Sequence, residues 1–446
     1  MTEHSYCSDI SRDRLLEMYH SMTTPAPEIE FESPRLRTLA AELDRDPTAR
    51  SSAVASFWAE VAKAGTPLIE RTDERERQAL VTFLWRETEP TRAVYLSEAV
   101  SWYPADRRML TRIERTDIWH LTWWATDTLR ATYGFSVVSE SETGDVEFRR
   151  LESRPDPLNR YVEYTNVKPD DLTSILVMPN AAPLPYGARR EGIARGDLHE
   201  ETFASAILGN ERPVWVYTPP GYSPAGADYP YVVIFDGEKY NNAPNVLDAL
   251  IADGEIPPMM AILVHQIGIR NQELPCNPDF SRAIATELIP WIRERWHISD
   301  DPAKAALNGC SFGGLCAAYT ALKHHDVFGN AFMQSGSCWY HPSLSLSTTG
   351  APSPTVGVSA AIPTIIGEYM ASRRVPVRVY QECGDVENGP PPAKLWQVFG
   401  NRWLRDILEL KGYDSHYVEF NGGHDDAWWR GTFADGIRWI FGAGSE

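Results

Sequence analysis

The stretch Leu307-Asn308-Gly309-Cys310-Ser311-Phe312-Gly313-Gly314-Leu315 constrains this chain more than any other. It puts Ser311 at the centre of a G-x-S-x-G pattern, between a short apolar run at 305–307 and an Ala- and Leu-rich run at 313–323. A strand that turns sharply into a helix holds the central serine in a strained conformation with its hydroxyl exposed, and the flanking glycines leave room for the turn. With 30 glycines in the chain the bare pattern is cheap. The predicted strand and helix around it are what make Ser311 a candidate nucleophile rather than a glycine-lined turn.

At 446 residues the chain exceeds what one hydrophobic core usually supports, so two domains are expected. A net charge of −19 disfavours nucleic acid and anionic membrane as partners, because both reward a basic face. The first 20 residues are polar, with no apolar h-region, so neither a signal peptide nor a membrane span is indicated and a cytoplasmic location is expected. The six cysteines (Cys7, Cys276, Cys310, Cys316, Cys338 and Cys383) form no C-x-x-C pair and no zinc-like spacing. That pattern suits reduced thiols and implies no structural metal.

Three regions follow. Residues 1–75 read as a helical extension, with apolar residues at helical spacing in 35–45 and 52–64. Residues 76–190 read as a smaller all-β, immunoglobulin-like sandwich with its connector, on strand-like runs at 79–85, 93–97, 118–126 and 129–138. Trp119, Trp123 and Trp124 in these runs read as sandwich aromatics before they read as a ligand platform. The stretch 139–210 is rich in turn formers and carries a basic cluster, Arg189, Arg190 and Arg195, which is either a solvated face or the border of a site for an anionic substrate. From 200 onward, apolar strands at 214–218, 231–235, 259–264, 305–307, 331–334, 375–382 and 416–420 alternate with helices at 246–252, 280–296, 313–323, 394–410 and 426–441. That alternation predicts an α/β fold with a largely parallel sheet, and with G-x-S-x-G it predicts an α/β-hydrolase catalytic domain.

In that fold the partners follow the nucleophile in the order acid, then histidine. Of the five later histidines, His324 and His325 end a helix, His341 precedes a proline and His416 opens a strand. His424 alone lies in the loop after the last strand, behind Gly422 and Gly423, and is the candidate general base. After the preceding strand Glu382, Asp385 and Glu387 compete for the acid. Glu387 lies beyond the turn and is favoured; Asp385 remains a rival. The oxyanion hole takes one N–H from Phe312 and a second from the Asp236-Gly237-Glu238 loop, where Gly237 suits close backbone approach. Asp236 reads equally well as a turn former.

These residues resemble a known family, the enterochelin (enterobactin) esterases. The stretches that carry the resemblance are 308–315, Gln334-Ser335-Gly336-Ser337-Cys338-Trp339, Gly422-Gly423-His424-Asp425 with Trp429-Arg430-Gly431, Phe235-Asp236-Gly237-Glu238, 270–280, Asp156-Pro157-Leu158-Asn159 and 214–219. The resemblance covers about 50–446; residues before it are extra, and 160–171 lacks a Gly- and Arg-containing loop associated with the family. It implies cofactor-free hydrolysis, in the cytoplasm, of the ester bonds of a cyclic N-(2,3-dihydroxybenzoyl)serine trilactone, often iron-loaded. It supports Glu387 as the acid and makes Arg270 a substrate-binding candidate. An anionic ferric catecholate gives Arg270, Arg189, Arg190 and Arg195 an electrostatic purpose, and Trp339 and Trp429 become candidates for stacking on catechol rings. The neighbouring expectation is a general carboxylesterase or feruloyl-type esterase on the same fold. A binding protein built on a dead hydrolase is disfavoured by the intact Ser311, His424 and Glu387.

Overall fold

A computed structural model describes residues 33–446 except 73–74, 99–107, 142–151, 165–171, 187–188, 227, 344–361, 388–394 and 443–446. The helical start expected before residue 33, Cys7, and much of the 160–171 stretch lie outside the described residues. The chain divides into two compact units. One draws on the chain up to Leu96, on Tyr103–Asp127 and on Phe135–Arg160; the other includes Thr128–Gly134 and the chain from Tyr161.

The first unit opens with helix α1 (Pro34–Arg45), whose N-cap Ser33 accepts a hydrogen bond from Leu36 N. Leu36, Leu39 and Leu43 form the buried stripe that the 3.6-residue period dictates. Helix α2 (Arg50–Ala64) buries Phe57, Trp58 and Val61 in the same cluster. Along the chain come β1 (Leu68–Glu70), β2 (Gln78–Arg86), β3 (Thr91–Ser97), β4 (Thr111–Arg112), β5 (Ile118–Thr126), β6 (Arg130–Ser139), β7 (Val162–Tyr164) and β8 (Leu172–Val177); the start of β6, with β7 and β8, is counted with the second unit. They make two four-stranded sheets, β1-β2-β5-β4 and β3-β6-β8-β7. Trp119, Trp123 and Trp124 are all buried, so they pack rather than present a platform.

The second unit is built on an eight-stranded sheet of order β16-β15-β14-β13-β11-β12-β10-β9. Its strands are β9 (Asp197–Ser205), β10 (Asn210–Thr218), β11 (Tyr231–Phe235), β12 (Met260–Val264), β13 (Ala305–Cys310), β14 (Asn330–Gln334), β15 (Arg378–Gly384) and β16 (Ser415–Phe420). Strands β11 to β16 pair in parallel, and β10 runs antiparallel to both β12 and β9. Every residue of β11, β12, β13 and β14 is buried, as expected of strands covered on both faces. The helices are α3 (Ala243–Ala252), α4 (Arg270–Glu273), α5 (Pro278–Ala283), α6 (Ile289–Arg293), α7 (Phe312–Lys323), α8 (Thr364–Ala371), α9 (Leu395–Leu410) and α10 (Asp426–Phe441).

Three expectations are corrected. The region read as helical to residue 75 contains the strand β1. The turn-rich 139–210 stretch contains β7, β8 and β9; β9 is largely polar and buries only Phe203 and Ser205, which suits a sheet edge but weakens its strand signal. The single helix expected over 280–296 is α5 and α6 joined through a π-helical turn, Ile284–Leu288.

Candidate active site

Ser311 joins β13 to α7 with φ 57° and ψ −119°, a conformation that costs a non-glycine residue on the order of 1–3 kcal/mol and persists only where the surroundings enforce it. A Cβ on Gly309 would lie 2.6 Å from the Gly313 carbonyl carbon, so the strand end crosses the helix start at a distance no side chain permits. The first-turn amides of α7, beginning with Phe312 N–H, have no partner four residues back and carry the positive end of the helix dipole. The Ser311 hydroxyl lies 3.2 Å from Ser337 Oγ.

Parallel register brings the remaining groups to the same end of the sheet. Cys310 pairs with Gln334 and Gln334 with Glu382, while Gly384 pairs with Phe420. The loops that follow β13, β14, β15 and β16 therefore leave from adjacent strand ends. In this row His424 Nδ1 lies 2.6 Å from Glu387 Oε2. The Glu387 carboxylate is fully buried, and its other oxygen accepts from Gly384 N at 2.7 Å and Ser335 Oγ at 2.5 Å. Asp385 accepts instead from Asn421 Nδ2, at 3.0 and 3.1 Å. Trp429 packs edge-on against the His424 ring, 4.7 Å between centroids.

Asp236 follows β11 in the left-handed region, φ 53°, and a Cβ on Gly237 would lie 2.6 Å from the Leu263 carbonyl carbon. That close approach is why glycine stands there. Arg270 clamps Asp236, Nε to Oδ1 at 2.7 Å and Nη2 to Oδ2 at 2.6 Å, and its Nη2 reaches the Cys310 carbonyl at 3.4 Å. Burial is the largest influence on both and works against their charges, but the charged neighbours together outweigh it, Arg270 with Lys239 for Asp236 and chiefly Asp236 for Arg270, so Asp236 is held below the usual carboxylate range and Arg270 above its ordinary value. Arg270 is itself fixed from below. Arg212 and Glu273 form a buried bidentate pair, Nη2 to Oε1 at 2.6 Å and Nη1 to Oε2 at 3.0 Å, and Glu273 closes the one-turn helix that Arg270 opens.

Several expected binding residues are not presented to a ligand. Trp339 and Trp429 are 7% and 6% exposed, and their indole N–H groups donate to Gln397 Oε1 and Ser335 Oγ. Neither offers an open face for catechol stacking. Arg190 forms a bidentate pair with Asp253, the C-cap of α3, at the end of that helix away from the strand ends that present Ser311. Arg195 donates to Asn245 and to the Arg190 carbonyl, and exposed Arg189 pairs with Glu191. The basic cluster therefore reads as a solvated, internally paired face.

Sequence reasoning missed the buried network beneath the site. Glu382 accepts from Gln334 Nε2 at 2.8 Å and Thr432 Oγ1 at 2.6 Å, and Gln334 Oε1 accepts from Tyr240 OH at 2.8 Å. Burial pushes Glu382 up to about 8, Asp425 up to about 7 and Asp385 up to about 6. The signal available was Gln334-Ser335-Gly336-Ser337 directly after a strand that neighbours the nucleophile strand. Among the described residues no group of three or more His, Cys, Asp or Glu side chains is arranged to hold a metal, and no helix is long and apolar enough to cross a membrane.

Comparison with known proteins meets this geometry from outside. Residues 205–440 match the family described as "Putative esterase", and residues 80–186 match "Enterochelin esterase, N-terminal". The chain belongs to the enterochelin esterase family. As a member it is a carboxylic ester hydrolase. The iron(III) enterobactin esterase of Dickeya dadantii is 28% identical to this family member over 86% of its chain and 92% of the relative. The iron(III) salmochelin esterase of Escherichia coli O6:H1 is 28% identical over 86% and 93%. In fold, this enterochelin esterase family member is similar to the ferric enterobactin esterase of Salmonella typhimurium, with TM-score 0.70, 24% identity and coverage of 86% and 98%.

Proposed function

We propose that the chain is a serine esterase that cleaves the ester bonds of a catecholate trilactone siderophore, in its ferric form, and so releases iron in the cytoplasm. The substrate class is supported by the two relatives matched over 86% of the chain, an iron(III) enterobactin esterase and an iron(III) salmochelin esterase. The observation that carries the chemistry is the 2.6 Å contact between His424 and Glu387, in loops that follow neighbouring strands of the sheet bearing Ser311.

In this reading Ser311 Oγ attacks the lactone carbonyl carbon while its proton passes to His424 Nε2. Glu387 holds the ring with Nδ1–H donating and stabilises the imidazolium. The amides of Phe312 and Gly237 receive the oxyanion. Collapse breaks the acyl C–O bond, and His424 returns the proton to the departing seryl oxygen. Water then attacks the acyl-enzyme with His424 as base; Ser311 leaves and is reprotonated. Every step is acyl transfer and acid–base chemistry, and the ferric ion is cargo. Arg270, held charged by Asp236 with a fifth of its side chain exposed, is the candidate cation for the anionic substrate.

The two N-terminal sheets are read as an immunoglobulin-like sandwich covering 76–190 with its connector, supported by the Trp85 and Phe135 ring contact, 5.3 Å between centroids, from β2 to β6. The hydrolase domain is read as 200–446.

The test incubates the protein and a Ser311→Ala variant with enterobactin, with and without iron, and follows linear trimer, dimer and monomer by mass. Ser311-dependent products are expected. Cleavage of simple aryl esters with no cleavage of the trilactone would keep the hydrolase and replace this substrate with that of a general or feruloyl-type carboxylesterase.

A further inference from the structure

Buried at the centre of the row of strand ends, Ser335 is fully inaccessible, carries a left-handed backbone with φ 47°, and touches the candidate acid. A serine pays for that backbone where a glycine would not. The surrounding bonds enforce it: Ser335 N donates to the Glu382 carbonyl at 2.8 Å, and the Ser335 carbonyl accepts from Gln397 Nε2. The hydroxyl is equally fixed. An indole N–H can only donate, and Trp429 Nε1 lies 3.0 Å from Ser335 Oγ. The serine oxygen is thus the acceptor on that side, which directs its own proton to Glu387 Oε1, 2.5 Å away.

Resting on the reading of Ser311, His424 and Glu387 as the catalytic set, we propose that Ser335 is a positioning residue that keeps Glu387 ionised and aimed at His424. A carboxylate without solvent survives as a charge only where donors replace water. Glu387 has three: Gly384 N–H and Ser335 O–H on one oxygen, and His424 on the other. Gly384 is in the backbone and cannot be edited away; the hydroxyl is the adjustable donor. Trp429 serves twice, setting the direction of the Ser335 hydroxyl and walling the His424 ring.

The proposal has a sign in pH. With His424 neutral and Glu387 ionised the pair carries one negative charge; with one proton added it is neutral. Ser335 favours the charged state, so removing its hydroxyl favours proton uptake and moves the acid limb of activity to higher pH, by about one unit for one charge-assisted hydrogen bond. Other titrating groups face the pair: Glu382 and Cys383 from β15, and Asp425 and Asp426 from the start of α10, with Lys239 and Arg430 beside Asp426. They are common to parent and variant, so the difference between the two profiles isolates Ser335.

The experiment measures the second-order rate at which a fluorophosphonate labels Ser311, as a function of pH, in the parent chain, Ser335→Ala and Ser335→Gly. Expected is a fall of roughly tenfold to a hundredfold in both variants, with the acid limb displaced upward in both. Glycine relieves the backbone and so guards against an alanine variant that folds poorly. Parent-like labelling and an unmoved limb in Ser335→Gly would overturn the proposal and leave Ser335 a backbone device. If the parent itself takes up no label, the hydrolase reading fails instead, which keeps the two failures apart.

Discussion

Glu387 and Asp385 sit two residues apart at the end of one strand, and the geometry separates them sharply. Glu387 is fully buried with its oxygens shared among His424, Ser335 and Gly384, whereas Asp385 takes Asn421. Glu387→Gln is therefore expected to lower kcat by roughly 10^3 to 10^4, because an amide supports the wrong histidine tautomer, while Asp385→Asn stays within a few-fold of the parent. Steady-state kinetics on a chromogenic ester decides it, and the reverse ranking would reassign the acid. Ser311, His424 and Glu387 were legible as candidates because loop position after a strand is a sequence property. The supporting roles of Ser335 and Glu382 were not, since a buried hydroxyl or carboxyl declares its partners only once neighbouring strands are in register. Trp339 and Trp429 misled in the opposite direction: an aromatic beside a motif reads as a platform until its N–H is seen donating into the core.

The four-residue helix α4 is too short to be stable by itself. What holds it is the pair between Arg212 and Glu273, 1% and 6% exposed, with Asn210 Oδ1 on Arg212 Nη2 at 2.9 Å and the Phe280 ring 5.2 Å from the guanidinium. Glu273→Ala would leave Arg212 buried with its main counter-charge gone, so a loss of about 3–5 kcal/mol is expected in urea unfolding. Activity should suffer beyond that, because α4 carries Arg270. A second expectation concerns the crossing of β13 over α7. Gly309→Ala places a methyl 2.6 Å from backbone, and the turn must open; labelling of Ser311 should drop at least tenfold even in the fraction that folds. Most elements here followed from period and punctuation. Three of the misses, β1, β7 and β9, are sheet edges, where burial gives the sequence little to say; the fourth, β8, lies between β6 and β7 but falls in a stretch dominated by turn formers.

At the scale of the whole molecule, three carboxyls buried around the site titrate above their ordinary range: Asp385 near 6, Asp425 near 7 and Glu382 near 8. Below the usual carboxylate range folded and unfolded chains hold these protons equally. Between that range and about pH 8 the folded chain holds protons that the unfolded chain has released, so stability is full at low pH and declines as pH rises. Buried His120, held down to about 4 from 6.5, works in the opposite direction below pH 6.5, so the net fall of the melting temperature is expected between pH 6.5 and about pH 8. Glu382→Gln, which mimics the protonated form toward Thr432 and Gln334, should flatten that fall, and an unchanged slope would remove Glu382 from the account. The change of period along the chain marks where the two four-stranded sheets give way to the eight-stranded one. How one strand serves the catalytic loop was not legible, because nothing local marks it. Arg130 N donates to the Asn421 carbonyl at 3.1 Å, Thr132 N to Asp425 Oδ2 at 3.3 Å, and Trp428 Nε1 to the Arg130 carbonyl at 2.9 Å. The loop that bears His424 is thus stitched to residues made nearly three hundred positions earlier. A chain that stops short of residue 428 cannot close that seam, and on the proposed assignment of His424 as base it carries Ser311 without its partner, so such a truncated chain is expected to be silent toward esters.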